Sequence, residues 1–388
     1  MALPISYNVR NLRSRWKVTL LAIAGIALVV AAFVTILSMA RGFKIALSST
    51  GSDSNAIVTQ RGSMSELSSW MNVAAANLVA VDPRVALGED GKPLASCEVV
   101  VITARPTKAT GLPTNITFRG VTPKAFKVRN GVQIVEGRTF TPGLFEVIVG
   151  KKIADRLQGV EVGSIIPIQR KNWKVVGLFT ADGSSFESEI WGDYDAMAPA
   201  IGRNGGCESL TLRLTSPGVL AAFDKDLRAN PQFQLQADSE RTYYENLAGP
   251  TAGALMGLAA FVAIVMGIGA VFGAMNTMYA IVSQRTREIG TLRALGFSRF
   301  SILFSFVMES VLLAVVGGIL GCLLALPMNG FTAATGTNAF SELAFAFRVT
   351  PALLLIGMVF ATIMGLVGGL LPALRASRMP ITRALREA

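Results

Sequence analysis

The segment Thr251–Ser283, TAGALMGLAAFVAIVMGIGAVFGAMNTMYAIVS, contains 33 consecutive residues without a single charge. An α-helix needs about 20 apolar residues to cross the roughly 30 Å hydrocarbon core of a bilayer. At 1.5 Å per residue this segment would reach about 50 Å as one helix, so part of it must stand outside the hydrocarbon. The segment therefore predicts a membrane-spanning helix that continues beyond the membrane.

Three further apolar runs are long enough to cross a bilayer: Val18–Ala40, Ile302–Pro327 and Pro351–Leu374. Hydrophobic residues make up 51% of the chain and charged residues only 16%, which is typical of a membrane protein. The uncharged core of the first run exceeds the roughly 7–15 residues of a signal peptide, so we interpret it as a permanent helix. The sequence predicts four transmembrane helices.

The orientation follows from the basic residues next to these runs, because such residues favour the cytosolic side. Twelve of them are opposed only by Glu288 and Glu387. Both termini and segment 284–301 are therefore predicted to be cytosolic. The surplus of basic over acidic residues thus reflects the orientation of the chain in the membrane and is not a sign of nucleic-acid binding. The twelve residues are Arg10, Arg13, Arg15, Lys17, Arg285, Arg287, Arg293, Arg299, Arg375, Arg378, Arg383 and Arg386.

Segment 41–250 lies between the first and second runs and is long enough for one or two folded domains. Short β-branched segments such as Asn55–Gln60 and Glu98–Ala104 alternate with helical patterns such as Met64–Val79. We predict a large α+β extracytoplasmic domain of two lobes. One lobe comprises about residues 51–110 and 206–245, and the other is a β-rich insertion at about 111–205. Segment 328–350 is predicted to be a short outer loop.

Small residues spaced four apart let helices approach closely in lipid. Four such glycine pairs favour a tightly packed, dimeric helix assembly, although packing within one chain explains any single pair as well. The pairs are Gly253/Gly257, Gly269/Gly273, Gly317/Gly321 and Gly365/Gly369.

The order of one span, a large outer domain and three more spans resembles the FtsX-like/MacB-like permease family, the mechanotransmitting (type VII) ABC transporters. Ser283–Ser298, which contains QRTREIGTLRALGFS, is similar to the signature of that family, and Leu371–Arg386 is similar to its C-terminal ending. Gly120–Phe140 and Asn172–Phe179 resemble its outer-domain blocks. Gln284 departs from the acidic residue that is commoner in the family.

The resemblance implies a non-catalytic permease subunit that works with a separate ABC ATPase, to which ATP and Mg²⁺ would bind. No G-x-x-x-x-G-K-[ST] phosphate loop occurs in the sequence, so no fused nucleotide-binding domain and no cofactor are expected here. The chain contains no histidine, which excludes a His-based triad or metal ligand, and no metal site is predicted.

Segment 284–301 is expected to form the helix that contacts the ATPase. Ile289, Leu292 and Leu295 recur at intervals of three and predict an apolar stripe, while Gly296 is suited to end the helix. An interfacial helix that binds anionic lipid explains the same charge and amphipathicity. The polar residues of the predicted ATPase contact are Arg285, Arg287, Glu288 and Arg293.

Other chemistry-bearing residues are few. Glu309 is the one ionisable residue within the predicted spans and favours a structural hydrogen bond over transport chemistry. Cys97 and Cys207 flank the β-rich insertion and are a candidate disulfide, a pairing that sequence alone leaves open. Segment 1–17 is predicted to be an amphipathic anchor on the membrane, and 375–388 a cytosolic tail.

The leading hypothesis is a multi-pass protein of the inner (cytoplasmic) membrane that drives export or extraction of cargo. Its expected partners are the ATPase, a second identical or sister permease, membrane lipids and a periplasmic adaptor. Regulation of a cell-wall hydrolase is an alternative within the same architecture, and a membrane-anchored sensor or scaffold is an alternative from another class.

Overall fold

The computed structural model describes residues 16–336 and 342–380. The predicted amphipathic anchor lies outside the described residues up to residue 15, and the predicted tail lies outside them beyond Pro380. The α-helices of the described part are α1 Trp16–Ser48, α2 Val73–Ala80, α3 Ala125–Val128, α4 Lys151–Ala154, α5 Tyr194–Ala200, α6 Leu220–Ala229, α7 Glu240–Gln284, α8 Thr286–Ala294, α9 Arg299–Ala325 and α10 Pro351–Ser377.

Helices α1, α7, α9 and α10 are long and apolar enough to cross a membrane. Backbone polar groups must be satisfied internally in lipid, so uncharged runs of this length form continuous helices. Helix α1 has 33 residues and α7 has 45. At 1.5 Å per residue α7 is about 68 Å long, roughly twice what the hydrocarbon core requires. The large α/β region lies between the first and second of these helices.

The chain divides into two compact units. The helical unit contains the residues up to Arg41, Ala254–Phe331 and those from Phe347 onward. The α/β unit contains Gly42–Gly253 and Thr332–Ala346.

In the helical unit, Gly317 and Gly321 lie where α9 meets α1. A Cβ added to Gly317 would lie 2.9 Å from the Cβ of Ile26, and one added to Gly321 would lie 2.6 Å from the carbonyl oxygen of Ala27. Both distances are too short for a side chain. These two positions therefore require glycine for the observed packing.

The other glycine pairs differ from one another. A Cβ on Gly365 would lie 2.5 Å from the Cβ of Ala314, and one on Gly369 would lie 2.4 Å from the Cβ of Ser310, so this pair packs α10 against α9. On α7, by contrast, a Cβ at any of four glycines would meet no atom of the described residues within 4 Å. These four are Gly253, Gly257, Gly269 and Gly273.

The α/β unit is built around a ten-stranded mixed sheet with the order β12-β1-β11-β3-β4-β9-β6-β8-β5, in which β7 pairs with β8. Two shorter sheets are β10-β2 and β13-β14. The strands are β1 Asn55–Gln60, β2 Met71–Asn72, β3 Ala95–Pro106, β4 Pro113–Val121, β5 Gln133–Gly137, β6 Glu146–Gly150, β7 Ile165–Ile168, β8 Lys171–Thr180, β9 Glu189–Asp193, β10 Gly206–Cys207, β11 Ser209–Arg213, β12 Leu235–Ser239, β13 Thr332–Gly336 and β14 Glu342–Ala346.

Two hydrophobic clusters lie in this unit, one around Leu212 and Phe223 and the other around Phe118 and Trp173. Val99 already belongs to the second cluster, although it precedes the boundary predicted between the lobes at about residue 110. Strand β3 pairs with β11 near its start and with β4 along the rest of its length. One long strand therefore belongs to both lobes and joins their sheets.

The predicted helix Met64–Val79 is wrong over its first half. The chain forms a 3₁₀ turn at Glu66–Ser68 and strand β2 before α2 begins at Val73. The side chain of Asn72 accepts a hydrogen bond from the Ala75 N–H at 2.7 Å and caps the helix there. Local hydrogen bonding by polar side chains thus outweighs the apolar spacing.

Segment 328–350 contains more than the predicted loop. Strands β13 and β14 form an antiparallel hairpin that belongs to the α/β unit. The N–H of Ala344 donates to the hydroxyl of Ser188 at 3.2 Å, and the buried ring of Phe345 lies edge-on to Phe43 with the ring centres 5.5 Å apart. Strands β13 and β14, which lie between the third and fourth apolar helices in sequence, are thus part of the α/β unit.

Candidate functional site

The segment that sequence analysis assigned to ATPase contact begins where α7 ends. Arg285 leaves the helical conformation, with φ −110° and ψ 15°, and α8 starts at the next residue. At the other end, the N–H of Gly296 donates to the carbonyl of Arg293 and the N–H of Phe297 donates to that of Leu292. This is a Schellman cap, for which glycine at φ +93° is suited.

The buried face of α8 is anchored by Ile289, which is 2% exposed. Ile289 packs in a cluster with Met278, Val282, Ile302 and Phe306 from the two flanking helices. Gly290 beside it is also buried. The short helix is therefore a packed part of the helical unit rather than an exposed loop.

An ion pair fixes the break between α7 and α8. Arg285 donates from Nη1 to Oε2 of Glu309 at 3.0 Å and from Nε to Oε2 of Glu288 at 2.9 Å. Its guanidinium also lies over the ring of Phe306, 4.9 Å from the centroid. The side chains of Arg285 and Glu309 are 6% and 3% exposed, so each charge has its partner away from water. Glu309 thus forms a buried ion pair with Arg285, and its structural role stays a prediction.

The three residues of the predicted apolar stripe differ in their exposure. Ile289 is buried, Leu292 is half-buried and Leu295 is 71% exposed. Residues three apart are separated by about 300° around a helix with 3.6 residues per turn, so each step turns the side chain back by about 60°. The three residues therefore point in different directions.

The exposed residues of α8 and of its C-terminal cap are Arg287, Glu288, Thr291, Ala294, Leu295 and Gly296, while Leu292 and Arg293 are half-buried. Glu288 exposes 55% of its side chain even though it bonds Arg285. This surface combines a cation, a carboxylate and a large apolar side chain over fewer than three turns. It is suited to a protein groove with complementary charge and an apolar pocket.

A second constellation, which sequence analysis did not predict, lies inside the α/β unit. Arg119 on β4 is 1% exposed and bonds Glu66, Glu98 and Glu189 at distances of 2.7–3.0 Å. Its Nη2 also lies 3.4 Å from the hydroxyl of Tyr244. These contacts draw together carboxylates from three separate parts of the domain.

Arg129 extends this network to the start of α7. It donates from Nη1 to Glu98 and from Nε to Glu240, both at 2.6 Å. Glu240 is the first residue of α7, is fully buried and also accepts from Nδ2 of Asn55 at 2.9 Å. The N-terminal end of α7 is thus held by charge-assisted hydrogen bonds inside the domain.

The pKa shifts of two of these carboxyls run in opposite directions. Burial raises the pKa of Glu98 above its usual value, because the effect of burial outweighs the lowering of this pKa by the charges of Arg129 and Arg119. Burial also acts on Glu66, but the charge of Arg119 and hydrogen bonds from Arg119 and Ser209 together hold its pKa below the usual value. A glutamate directly before an apolar run, such as Glu98 before Val99–Ile102, is the sequence signal that could have revealed the network.

Cys97 and Cys207 form a disulfide in the structure, with their Cα atoms 5.6 Å apart. The bond closes a loop of 110 residues that contains the second lobe. Cys322 on α9 is a free, buried thiol.

Four helices long and apolar enough to cross a membrane, with an α/β domain between the first and second, define the class of multi-pass membrane proteins. Residues 19–230 match the family model of the MacB-like periplasmic core domain, and residues 260–381 match that of the FtsX-like permease C-terminal region. The chain belongs to the MacB-like, FtsX-like family of ABC transporter permeases, as its signature segments predicted.

Two curated relatives illustrate the similarity. The macrolide export ATP-binding/permease protein MacB of Bordetella avium (strain 197N) is 27% identical over 308 residues, which cover 74% of this chain and 46% of the relative. The pyoverdine export ATP-binding/permease protein PvdT of Pseudomonas entomophila (strain L48) is 29% identical over 280 residues, which cover 65% of this chain and 40% of the relative. The chain thus spans less than half the length of these relatives.

Among solved structures, the chain is similar to the periplasmic region of MacB from Actinobacillus actinomycetemcomitans. The identity is 11% and the TM-score 0.38, over 52% of this chain and 95% of that one. The extracellular domain of the ABC-type transporter YknZ from Gram-positive bacteria gives 16% identity and a TM-score of 0.36, over 47% of this chain and 99% of that one.

Proposed function

We propose that this chain is the membrane subunit of an ABC exporter whose ATPase is a separate chain that docks on α8. The observation that carries the proposal is the two-sided character of α8. Ile289 and the ion pair of Arg285 fix one side to α7 and α9, while Arg287 and Leu295 are exposed on the other. A partner that pushed on α8 would therefore move the helices to which it is fixed.

The mechanism follows from what lies at each end of α7. Helix α7 begins at Glu240, within the buried charge network, and ends at the break beside α8. Closure of the ATPase subunits would displace α8, and α7 would pass this movement to the network of Arg119 and Arg129. The α/β domain would respond by changing the arrangement of its two lobes. In this mechanism the cargo is met by the α/β domain outside the membrane and does not pass through a channel between the helices.

The proposal also includes the orientation of the chain in the membrane and a second permease as partner. In an inner membrane with α8 in the cytosol, the disulfide of Cys97 and Cys207 would face the oxidising side, where such bonds persist. The α7 face with Gly269 and Gly273, which has no close neighbour in the described part of one chain, would pack against a second permease. The names of the relatives refer to export of macrolides and pyoverdine, which supports export as the direction of transport.

The test is capture of the ATPase from native membranes in mild detergent, using the tagged full-length protein. We expect an ATPase with a phosphate loop to co-purify with the wild type and to be lost with Leu295→Asp, which changes an exposed side chain without opening the core. Leu87→Asp is the matched control, since Leu87 is 63% exposed in the α/β domain. Equal capture and equal ATP hydrolysis with Leu295→Asp would overturn the docking role of α8. A sensor or scaffold would then be the better description.

A further inference from the structure

A cavity of about 560 Å³ lies where the C-terminal ends of α7 and α10 meet. Its volume is within the range of small-molecule sites in proteins. Tyr279 and Ser283 line it from α7, Thr286 lines it from the first turn of α8, and Arg375 and Arg378 line it from the end of α10. All of these residues belong to the helical unit.

The cavity is strongly cationic. Arg375 and Arg378 are exposed, make no ion pair with any carboxylate in the part of the chain that the structure describes, and have no acidic residue beside them in the lining. They are three positions apart on a helix, so their side chains are neighbours. The guanidinium of Arg375 lies over the ring of Tyr279, 5.6 Å from its centroid. Two adjacent guanidinium groups beside hydroxyl groups are suited to a phosphate.

The position of the cavity specifies the source of that phosphate. The 27 residues of α10 extend about 40 Å, which exceeds the roughly 30 Å hydrocarbon core, so the last turn lies at headgroup level if the helix crosses the membrane. Leu371 and Val367 precede Arg375 by four and eight residues and lie on the same helix stripe. Their side chains are 53% and 52% exposed, which gives acyl chains an apolar surface leading to the cavity.

We propose that this cavity binds the phosphate headgroup of one anionic phospholipid, with Arg375 and Arg378 on the phosphate and the acyl chains along Leu371 and Val367. Because Thr286 belongs to α8, the bound headgroup contacts the helix that we propose receives the ATPase. The lipid therefore stabilises one position of α8 relative to α10. This lipid site needs only the helical unit and does not depend on the ATPase proposal.

The experiment is native mass spectrometry of the full-length protein in detergent, titrated with phosphatidylglycerol and with phosphatidylcholine of equal chain length. We expect one phosphatidylglycerol to bind each wild-type chain more tightly than phosphatidylcholine. Arg375→Gln/Arg378→Gln should weaken phosphatidylglycerol binding about thirtyfold, from the usual contribution of two arginines at an anionic surface. The matched control, Arg41→Gln/Arg299→Gln, removes two exposed arginines of the helical unit outside the cavity lining and should bind like the wild type.

A second variant, Ser283→Phe, keeps both arginines and fills the cavity, so it should also weaken binding. Unchanged binding in this variant, or equal weakening in the arginine control, would overturn the proposal. Free glycerol 3-phosphate and inorganic phosphate serve as competitors. Displacement of the lipid by either of them at equal concentration would show a site for soluble phosphates instead. Retained lipid binding by Arg375→Gln/Arg378→Gln together with lost ATPase capture would identify a protein-docking site and also overturn the lipid assignment.

Discussion

Arg285, at which the second membrane-length helix ends, donates from Nη1 to Oε2 of Glu309 at 3.0 Å, in a place where neither side chain is more than 6% exposed. The pair joins the break before α8 to the interior of α9. A buried charge that loses its partner costs far more than an exposed one, because it cannot regain water. This contrast can be measured, since Glu288 bonds the same arginine from an exposed position.

Glu309→Gln is expected to lower the free energy of unfolding by about 3–5 kcal/mol, because it leaves Arg285 buried without its inner carboxylate. Glu288→Gln, the matched control, should cost about 0–1 kcal/mol. Thermal unfolding of the detergent-solubilised protein measures both. Equal losses in the two variants would contradict a dominant role for the buried pair.

The start of α7 offers a parallel comparison. Glu240→Gln removes the carboxylate that Arg129 bonds at 2.6 Å and should destabilise the α/β domain by about 3–5 kcal/mol. Glu245→Gln changes an exposed residue of the same helix and should change stability by less than about 0.5 kcal/mol. Urea unfolding followed by tryptophan fluorescence reports on the site, because Arg129 lies 5.5 Å from the ring centroid of Trp191. A midpoint for Glu240→Gln equal to that of the control would show that the network does not hold α7.

The glycines of α7 and α9 should respond differently to leucine. Gly317→Leu places a side chain against Ile26 and should destabilise the folded chain by about 1–3 kcal/mol or more. Gly269→Leu and Gly273→Leu add side chains where a Cβ would meet no atom of the described residues within 4 Å, so they should leave the thermal stability of one chain unchanged. If α7 packs against a second permease, these two substitutions should weaken the dimer in detergent, as measured by light scattering. A stable dimer in both variants would place the permease interface elsewhere.

The pair of Arg138 and Glu146 predicts a pH dependence. Hydrogen bonds from Arg138 and from the N–H of Thr141 hold the pKa of Glu146 at about 2, below its usual value. A lowered pKa in the folded state contributes stability above the pKa of the unfolded chain, near 4.5, and this contribution is lost as the pH falls towards 2. Urea midpoints measured at pH 5, 4 and 3 should therefore fall more steeply for the wild type than for Glu146→Gln.

The exposed carboxylate of Glu136 provides the control for that series, since it forms no ion pair within the described part of the chain and lies on strand β5, two residues before Arg138. Glu136→Gln should keep the slope of the wild type. A Glu146→Gln protein with the same slope as the wild type would show that other groups govern the acid response.

The sequence predicted the parts of this protein that depend on local composition. An uncharged run such as Thr251–Ser283 has to be helical in lipid, because its backbone groups find no other partners there. The signature Ser283–Ser298 identified the family, and the separation of Cys97 from Cys207 around the insertion marked them as a candidate pair. These features are continuous in sequence or carried by rare residue types, so they could be predicted without coordinates.

Only the tertiary structure decided which of these residues meet. Ile289 and Leu295 are both apolar residues of one short helix, yet one is 2% and the other 71% exposed, because the neighbouring helices cover only one side. Arg129 and Glu240 are 111 residues apart, and Ala344 and Ser188 are 156 apart. Such contacts depend on how strands and helices pack after each has formed. The sequence around a residue largely determines its secondary structure, but it does not determine which distant residue that side chain will contact. For that reason the charge network and the hairpin became visible only in the folded chain.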